Sequence, residues 1–411
     1  MGRGGAVLRY ALYALLIFTP LARGSVQGWA MSIINLVTLI ALTVLLLEKT
    51  LTWEWQWIKT PLDKPIICLL VLCLLSSIFS LHKNASLWAF ILLLNYITIY
   101  YLVIYTVNTR SQLRQLIYVI VGLATFLAIF GLIKKFGNNP FPWWDYEYNR
   151  NIVTGTYGNP NHFAGYMEMA IPLILGLLLT GFRGGKLVLL LYLVPITVIA
   201  LILSLSRGGW IGTTIGLAFM GVALLGNRYF RRKKLVLAFI GASFFIALIV
   251  PANRSVVLEI RTLTERGGEH PLQDRVLIWA KVLNMASDHP LLGTGPGTFS
   301  TIFTQYQPPG HTLRYTMAHN DYLHFISEVG IALVAILIWM IIAFYRKGFE
   351  KLKNPSRLVR GTTLGAMSGV TAILIHSIFD FNLHIPANAI LFTVLTAIVV
   401  SPIPNPAKPE L

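Results

Sequence analysis

The chain has 411 residues, of which 55% are hydrophobic and only 12% are charged. A soluble globular protein carries about 25% charged residues, so this composition excludes that class. Apolar runs of roughly 20 residues, long enough to cross a bilayer core as helices, recur along the whole sequence. The chain lacks the short alternating segments of a β-barrel, and it is predicted to be an all-α polytopic membrane protein.

Neither the net charge nor the cysteines indicate another class. The formal charge of +17 could suggest nucleic-acid binding, but Lys and Arg in cytoplasmic loops explain it better, because they orient membrane proteins. Cys68 and Cys73 lie inside one apolar run. We interpret both as packing residues, with no disulfide framework and no zinc site.

The apolar runs predict about twelve transmembrane helices. About nine form an N-terminal bundle in residues 1–250, and about three fall in residues 322–402, the first of them at 322–345. Alternate loops hold most of the basic residues, so both termini, including the tail 403–411, are predicted to be cytoplasmic. This orientation places residues 251–321 outside, in the periplasm of a Gram-negative cell.

The long outer loop contains an amphipathic segment at residues 271–287. Proline suits its first turn and Asp288-His289-Pro290 ends it. We expect an interfacial helix whose apolar face lies on lipid or on the bundle. The apolar positions at helical spacing are Leu272, Val276, Trp279, Ala280 and Leu283.

Two arginines are candidates for anion binding. Arg207 follows a tight break between two predicted spans, where a guanidinium either snorkels to the interface or binds an anion bidentately. Arg275 either pairs with Asp274 or, with Arg207, forms a two-arginine clamp for a diphosphate. The glycine run at residues 293–297 is either an ordinary turn or a phosphate-binding nest.

Histidines and carboxylates gather near the ends of the predicted spans. Histidine is the residue type whose side chain changes charge near neutral pH, so His319 is a candidate general base, although a histidine at this edge can also be inert. Asn320 or Asp321 is expected to cap the helix that follows. His324 and Glu328 lie four residues apart and are expected to touch. They either form a hydrogen-bonded pair that supports the site residues or make a buried polar contact between helices. Glu168, in the sixth span, is flagged because acids are rare in membranes.

His376, Asp380 and His384 crowd a short outer turn. They could bind a metal, but a polar lining of an outer cavity is the favoured interpretation. The sequence also lacks a Walker loop, HExxH and an Asp-rich pair that holds a divalent metal on phosphate. We therefore predict neither a metal nor a cofactor.

The order of these motifs resembles the O-antigen ligase/polymerase superfamily. The match begins at Ser206-Arg207-Gly208 between two spans and continues with Arg275-x-x-x-Trp279 in the long loop. It ends with Pro290-x-x-Gly293-x-Gly295-x-Gly297-x-Phe299, His319-Asn320-x-Tyr322-Leu323 and Glu328-x-Gly330.

The resemblance implies a metal-independent, inverting glycosyltransferase of the GT-C type in the bacterial inner membrane. Such enzymes move a glycan from undecaprenyl diphosphate to an acceptor on the periplasmic side. By position, Arg207 and Arg275 would bind the donor diphosphate and His319 would activate the acceptor hydroxyl. A further loop arginine (Arg254, Arg261 or Arg266) is expected to join them, with His324, Glu328 and Asp380 behind the site.

Three functions stay open at this point. The leading one is O-antigen ligase, which transfers a whole glycan to lipid A–core. The close alternative is a polymerase of the lipid-linked repeat unit, which shares the donor chemistry. A lipid-linked glycan transporter or flippase is a third, and it would need polar groups lining a path across the membrane.

Overall fold

The computed structural model describes residues 3–53, 55–137, 139, 141, 144, 152–226, 230, 232–249, 272–307 and 314–402. The regular secondary structure of these residues is helical, and they form no strand. The helices are Arg3–Leu21 (α1), Gly28–Thr52 (α2), Asp63–Ile78 (α3), Lys83–Thr106 (α4), Arg110–Phe136 (α5), Pro160–Leu178 (α6), Gly185–Ile202 (α7), Arg207–Leu225 (α8), Lys233–Ile249 (α9), Leu272–Asp288 (α10), Phe299–Ile302 (α11), Asp321–Val329 (α12), Ala332–Lys351 (α13), Arg357–His376 (α14) and Pro386–Val400 (α15).

The polytopic helical architecture is confirmed. Among the described residues, eight helices are long and apolar enough to cross a membrane: α1, α2, α4, α5, α7, α8, α13 and α14. The shorter apolar helix α15 lies beside them. Helices also stand at the other predicted spans, but a count of twelve crossings and the GT-C relationship stay predictions.

The predicted span at residues 322–345 is wrong as one continuous helix. The chain breaks between α12 and α13 at Gly330, whose φ of +93° favours glycine. An added Cβ there would collide with the backbone of Leu291, and the amide of Ile331 donates to the Pro290 carbonyl at 2.9 Å. The close approach of the outer loop therefore ends α12 after nine residues, which hydropathy alone does not show.

Helices α6 and α14 form the centre of the bundle. Every residue of α6 is buried. Glycines four apart on α14, at Gly361, Gly365 and Gly369, lie against the α6 backbone, the close packing that small residues permit in membranes. This pair fixes the end of α14, where the turn to α15 begins.

The outer-loop helix is confirmed as α10, and two residues of its predicted apolar face do not pack on the protein. Val276 and Leu283 are exposed, whereas Ile278, Val282 and Met285 are buried. The buried residues belong to a cluster with Phe299 and Phe303. Folding of the segment around residues 299–303 under α10 selects this face.

Candidate active site

The turn between α14 and α15, residues 377–385, brings together two of the predicted site residues. Arg275 donates from Nη1 to the carbonyl of Phe379 at 2.6 Å. His319 Nδ1 lies 3.7 Å from Asp380 Oδ1, within ion-pair distance. Arg275 and Phe379 are 104 positions apart along the chain, and His319 and Asp380 are 61 positions apart. Both contacts thus involve adjacent residues of one turn.

Helix α10 holds Arg275 in place through Trp279. One helical turn separates the two residues, so they project from the same face. The indole Nε1 of Trp279 donates to the Ala318 carbonyl at 3.0 Å, one residue before His319. The Arg-x-x-x-Trp spacing therefore links the arginine to the turn and the tryptophan to the histidine segment.

His319 is held in a strained backbone conformation. Its φ is +50°, in the left-handed region that non-glycine residues seldom occupy, at a cost of about 1–3 kcal/mol. On one side, the Ala318 carbonyl is bound by Trp279; on the other, Asn320 caps α12 by accepting from the amide of Leu323 at 3.0 Å. The side chain is 18% exposed. One part of the ring therefore contacts the protein, and the other part is accessible to a substrate.

Asp380 supplies a negative charge beside His319. Burial raises the pKa of this carboxyl, but the contact with His319 and the nearby His376 and His162 lower it more, to well below its usual value. The group is therefore ionised at all physiological pH values. A buried carboxylate at this position orients an imidazole and stabilises its protonated form.

Arg207 is the first residue of α8 and is exposed. The preceding Ser206 caps the helix, its hydroxyl accepting from the Gly209 amide at 3.2 Å. Gly208 lies directly against the imidazole of His376, where an added Cβ would collide with the ring. The start of α8 therefore adjoins the end of α14, immediately before the turn that Arg275 and His319 contact.

The suggested metal group His376, Asp380 and His384 does not form a single site. His376 Nδ1 pairs with Glu168 Oε1 at 3.0 Å, with both side chains buried. His384 Nδ1 contacts Asp321 Oδ1 at 2.6 Å, while Asp380 faces His319. The favoured interpretation, a polar lining, fits these separate pairs better.

Asp321 has a role that the sequence did not predict. It was a candidate helix cap, but Asn320 is the cap. Instead Asp321 accepts from the Leu383 amide at 3.0 Å through Oδ2 and contacts His384 through Oδ1. Its own amide donates to the Ser377 carbonyl at 2.9 Å, so Asp321 fixes both ends of the turn.

The backbone amides of the glycine run all bind groups of the protein itself, so the phosphate hypothesis is wrong. Glu328 accepts from the amides of Gly297 (2.9 Å) and Phe299 (2.8 Å). Burial raises the pKa of this carboxyl, but its contact with His324 and the amide of Gly297 lower it more. The amide of Gly297 thus binds an ionised side chain of the protein itself.

His324 and Glu328 touch as predicted, with His324 Nε2 3.4 Å from Glu328 Oε1. Together with His384 they form a group whose ligand atoms lie within 4.8 Å of one another, and such a group could hold a metal ion. Both carboxylate oxygens of Glu328 already accept backbone amides. These bonds explain the burial of Glu328 without an ion.

Other arginines of the outer loop fall into two groups. Arg254, Arg261 and Arg266 lie outside the described residues, so their role stays a prediction. Arg314 donates from Nε and Nη2 to the Ser300 carbonyl at 2.9 and 2.6 Å, and these bonds connect two parts of the loop.

His162 belongs to no motif in the sequence, yet it lies near the site. Its side chain is buried. The ring of His162 and the ring of His319 each lie 5.0 Å from the ring of Phe381.

A model of the O-antigen ligase family matches residues 191–340. The matched region runs from α7 to α13 and includes Arg207, Arg275, His319 and Glu328. No curated protein matches the chain. The family domain supports a membrane enzyme of the ligase or polymerase type, with lipid-linked glycan and lipid acceptor substrates in general. The predicted resemblance is confirmed: the chain is a multi-pass membrane protein with an O-antigen ligase family domain at residues 191–340.

Proposed function

We propose that this protein is an inverting O-antigen ligase that transfers a glycan from undecaprenyl diphosphate to a hydroxyl of lipid A–core. The observation that carries the proposal is the turn at residues 377–385, which Arg275 and His319 reach from two separate segments of the family domain. An arginine beside a histidine–carboxylate pair provides the two functions that this transfer needs. One stabilises a phosphate leaving group and the other accepts a proton.

Arg207 and Arg275 bind the donor diphosphate in this proposal. Guanidinium groups match phosphate oxygens through paired hydrogen bonds. As the glycosidic bond to the diphosphate breaks, negative charge grows on the departing oxygen, and prepositioned positive groups stabilise it. The arginines thus provide the positive charge that a divalent metal provides in other phosphate-processing enzymes.

His319 acts as the general base. The acceptor oxygen attacks the anomeric carbon from the face opposite the diphosphate, and the new C–O bond forms as the old one breaks. Nδ1 of His319 is directed at Asp380, so Nε2 takes the hydroxyl proton. Asp380 stabilises the imidazolium that results, and undecaprenyl diphosphate leaves.

We place this site on the periplasmic side of the bacterial inner membrane, with both termini cytoplasmic. Helix α14 starts at Arg357, after the basic end of α13 (Arg346 and Lys347) and a connection that contains Lys353, and ends at the turn that carries Asp380. A basic loop marks the cytoplasmic end of a membrane helix. The other end of α14, and the site with it, then faces outward.

Glycan profiling of a deletion strain tests the proposal. Full-length glycan that accumulates on undecaprenyl diphosphate, with bare lipid A–core, supports a ligase. Single repeat units attached to core would identify a polymerase. Glycan transfer by the purified protein in detergent micelles would exclude a transporter, because micelles have no second compartment. A protein that is inactive in micelles but needed for export in cells would overturn the proposed enzymatic function.

Gly208→Ala is expected to lower transfer while the protein stays folded. The added methyl group meets the His376 imidazole, so the start of α8 and Arg207 with it must shift. A misplacement of about 1 Å can lower a rate roughly 100-fold. Gly226→Ala at the other end of α8 is the control, because its Cβ meets its nearest atom only at 3.8 Å.

Initial rates of the purified variants measure this effect, and size-exclusion profiles check the fold. Equal rates for Gly208→Ala and Gly226→Ala would show that the contact with His376 does not position Arg207.

A further inference from the structure

We propose that Glu168, buried in α6, positions Arg207 for the donor diphosphate through its contact with His376. This inference rests on the proposed function, because it takes Arg207 as a ligand of that diphosphate. An acid inside a membrane bundle is costly, and the reaction proposed above gives Glu168 no step. Glu168 is a positioning residue, because it acts on the site through another side chain.

The contact between Glu168 and His376 joins α6 to α14. Glu168 Oε1 lies 3.0 Å from His376 Nδ1, and both side chains are buried. The hydrogen bond forms whether the proton lies on the imidazole or on the carboxyl, because each group can donate or accept. A hydrogen bond at one ring nitrogen fixes the orientation of an imidazole. The carboxyl group therefore sets the direction in which the ring of His376 points.

Helix α8 packs on this pair at two points, one helical turn apart. An added Cβ at Gly208 would collide with the imidazole of His376, and one at Gly212 would lie 2.6 Å from Glu168 Oε2. Positions four residues apart lie on the same face of a helix, so the α8 backbone rests directly on the pair. Arg207 is the first residue of α8, and its location follows from this contact.

The same histidine holds the turn that follows α14. The His376 carbonyl accepts from the amides of Phe379 and Asp380 at 2.8 and 3.1 Å. Arg275 binds the Phe379 carbonyl, and His319 faces Asp380. The ring of His376 thus supports the start of α8 while its backbone supports the turn. The spacing between the two arginines therefore depends on this one residue and on the carboxyl group that orients it.

Loss of the carboxyl group should affect the donor more than the acceptor. Without Glu168, Nδ1 of His376 is buried and unpaired, which is unfavourable, so the ring turns and the start of α8 moves. The backbone hydrogen bonds from Phe379 and Asp380 do not involve the ring and remain. Arg207 is then misplaced while the turn keeps its conformation.

Binding of undecaprenyl diphosphate to the protein in nanodiscs measures this effect. Glu168→Leu should weaken binding roughly 10- to 100-fold, the usual cost of losing a hydrogen bond to a charged group. Glu168→Gln keeps a hydrogen-bonding group at the same place and should bind like wild type. Thr371→Val removes a 2.7 Å hydrogen bond to Tyr345 from the same helix α14. It is the control and should also bind like wild type.

Two further measurements separate positioning from a general loss of stability. Glu168→Leu should cause no additional loss of binding in an Arg207→Ala background, because the effect passes through that arginine. Hydrogen exchange of the amides of residues 208–212 should be faster in Glu168→Leu than in wild type and unchanged in Thr371→Val. This second readout reports the start of α8 without any donor present.

Normal donor binding by a folded Glu168→Leu protein would overturn the inference if Arg207→Ala itself binds weakly. An equal loss in the Arg207→Ala background, or unchanged exchange at the start of α8, would overturn it too. Faster exchange together with normal binding by Arg207→Ala would instead overturn the role of Arg207 in the proposed function and leave the support of α8 by Glu168 standing.

A second variant covers the case in which Glu168→Leu does not fold. The double variant Glu168→Leu/His376→Ala removes both partners, so no polar group of the pair is left buried and unpaired. It also removes the ring that supports Gly208. The same loss of donor binding is expected, and normal binding would overturn the inference.

Discussion

Arg275→Ala is expected to lower glycan transfer by about 100- to 1,000-fold, the usual effect of removing one donor that stabilises a developing oxyanion. The side chain reaches the turn that carries Asp380, where its Nη1 binds the Phe379 carbonyl at 2.6 Å. Its loss removes a positive charge from the proposed diphosphate site and a contact that fixes the turn. Initial rates with saturating and limiting donor separate the effects on kcat and on KM.

Two further variants identify which property of Arg275 matters. Arg275→Lys keeps the charge but not the planar fork, so an intermediate loss is expected. Lys281→Ala removes a positive charge from the same helix away from the turn, and its rate should match wild type. A rate for Arg275→Ala within threefold of wild type would remove this residue from the donor site.

His319→Ala is expected to reduce kcat by about 100- to 10,000-fold, the usual contribution of a general base. The contacts of Trp279 and Asn320 on either side of His319 do not involve its imidazole, so they remain in the variant. Thermal unfolding of the purified variant in detergent checks that the protein is still folded. A folded His319→Ala protein with normal turnover would exclude this residue as the base.

Asp380→Asn tests whether the carboxylate assists His319. The carboxylate is ionised at all working pH values and lies 3.7 Å from His319 Nδ1, so it stabilises the positive charge that forms when the imidazole takes the acceptor proton. Without that negative charge the maximal rate should fall while donor binding changes little, so kcat should drop and KM should not. Asp288→Asn, an exposed carboxylate bound by Tyr306 at 2.8 Å, should change neither. An unchanged kcat for Asp380→Asn would contradict the assistance.

The helices could be predicted from the sequence because a bilayer imposes a minimum length on apolar segments. Hydropathy placed a helix at each predicted span, and the 3.6-residue period found α10. Hydropathy failed at Gly330, where the break in the helix depends on the approach of Leu291. It also does not indicate which residues of α10 pack on the protein, because that depends on Phe299 and Phe303.

The site could be predicted only as a set of residue types. Arg275 and His319 were recognisable as chemical groups, but nothing in their local sequence indicates that Phe379 and Asp380 are their partners. Glu168 and His376 pair across 208 positions, and Asp321 and His384 across 63. Such pairs depend on how α6, α12 and α14 pack against one another. No fixed spacing along the sequence indicates which residues will meet.

The segment 293–297 shows how composition can mislead about mobility. Its glycines meet the geometry that a tight fit requires, and its amides are tied to Glu328 and to the carbonyl oxygens of α12. From the other side, the Ser76 hydroxyl on α3 donates to both the Leu292 and Glu328 carbonyls, at 2.6 and 3.0 Å. The segment is thus a rigid wedge between a membrane helix and α12, so any opening that admits substrates has to take place elsewhere around the turn.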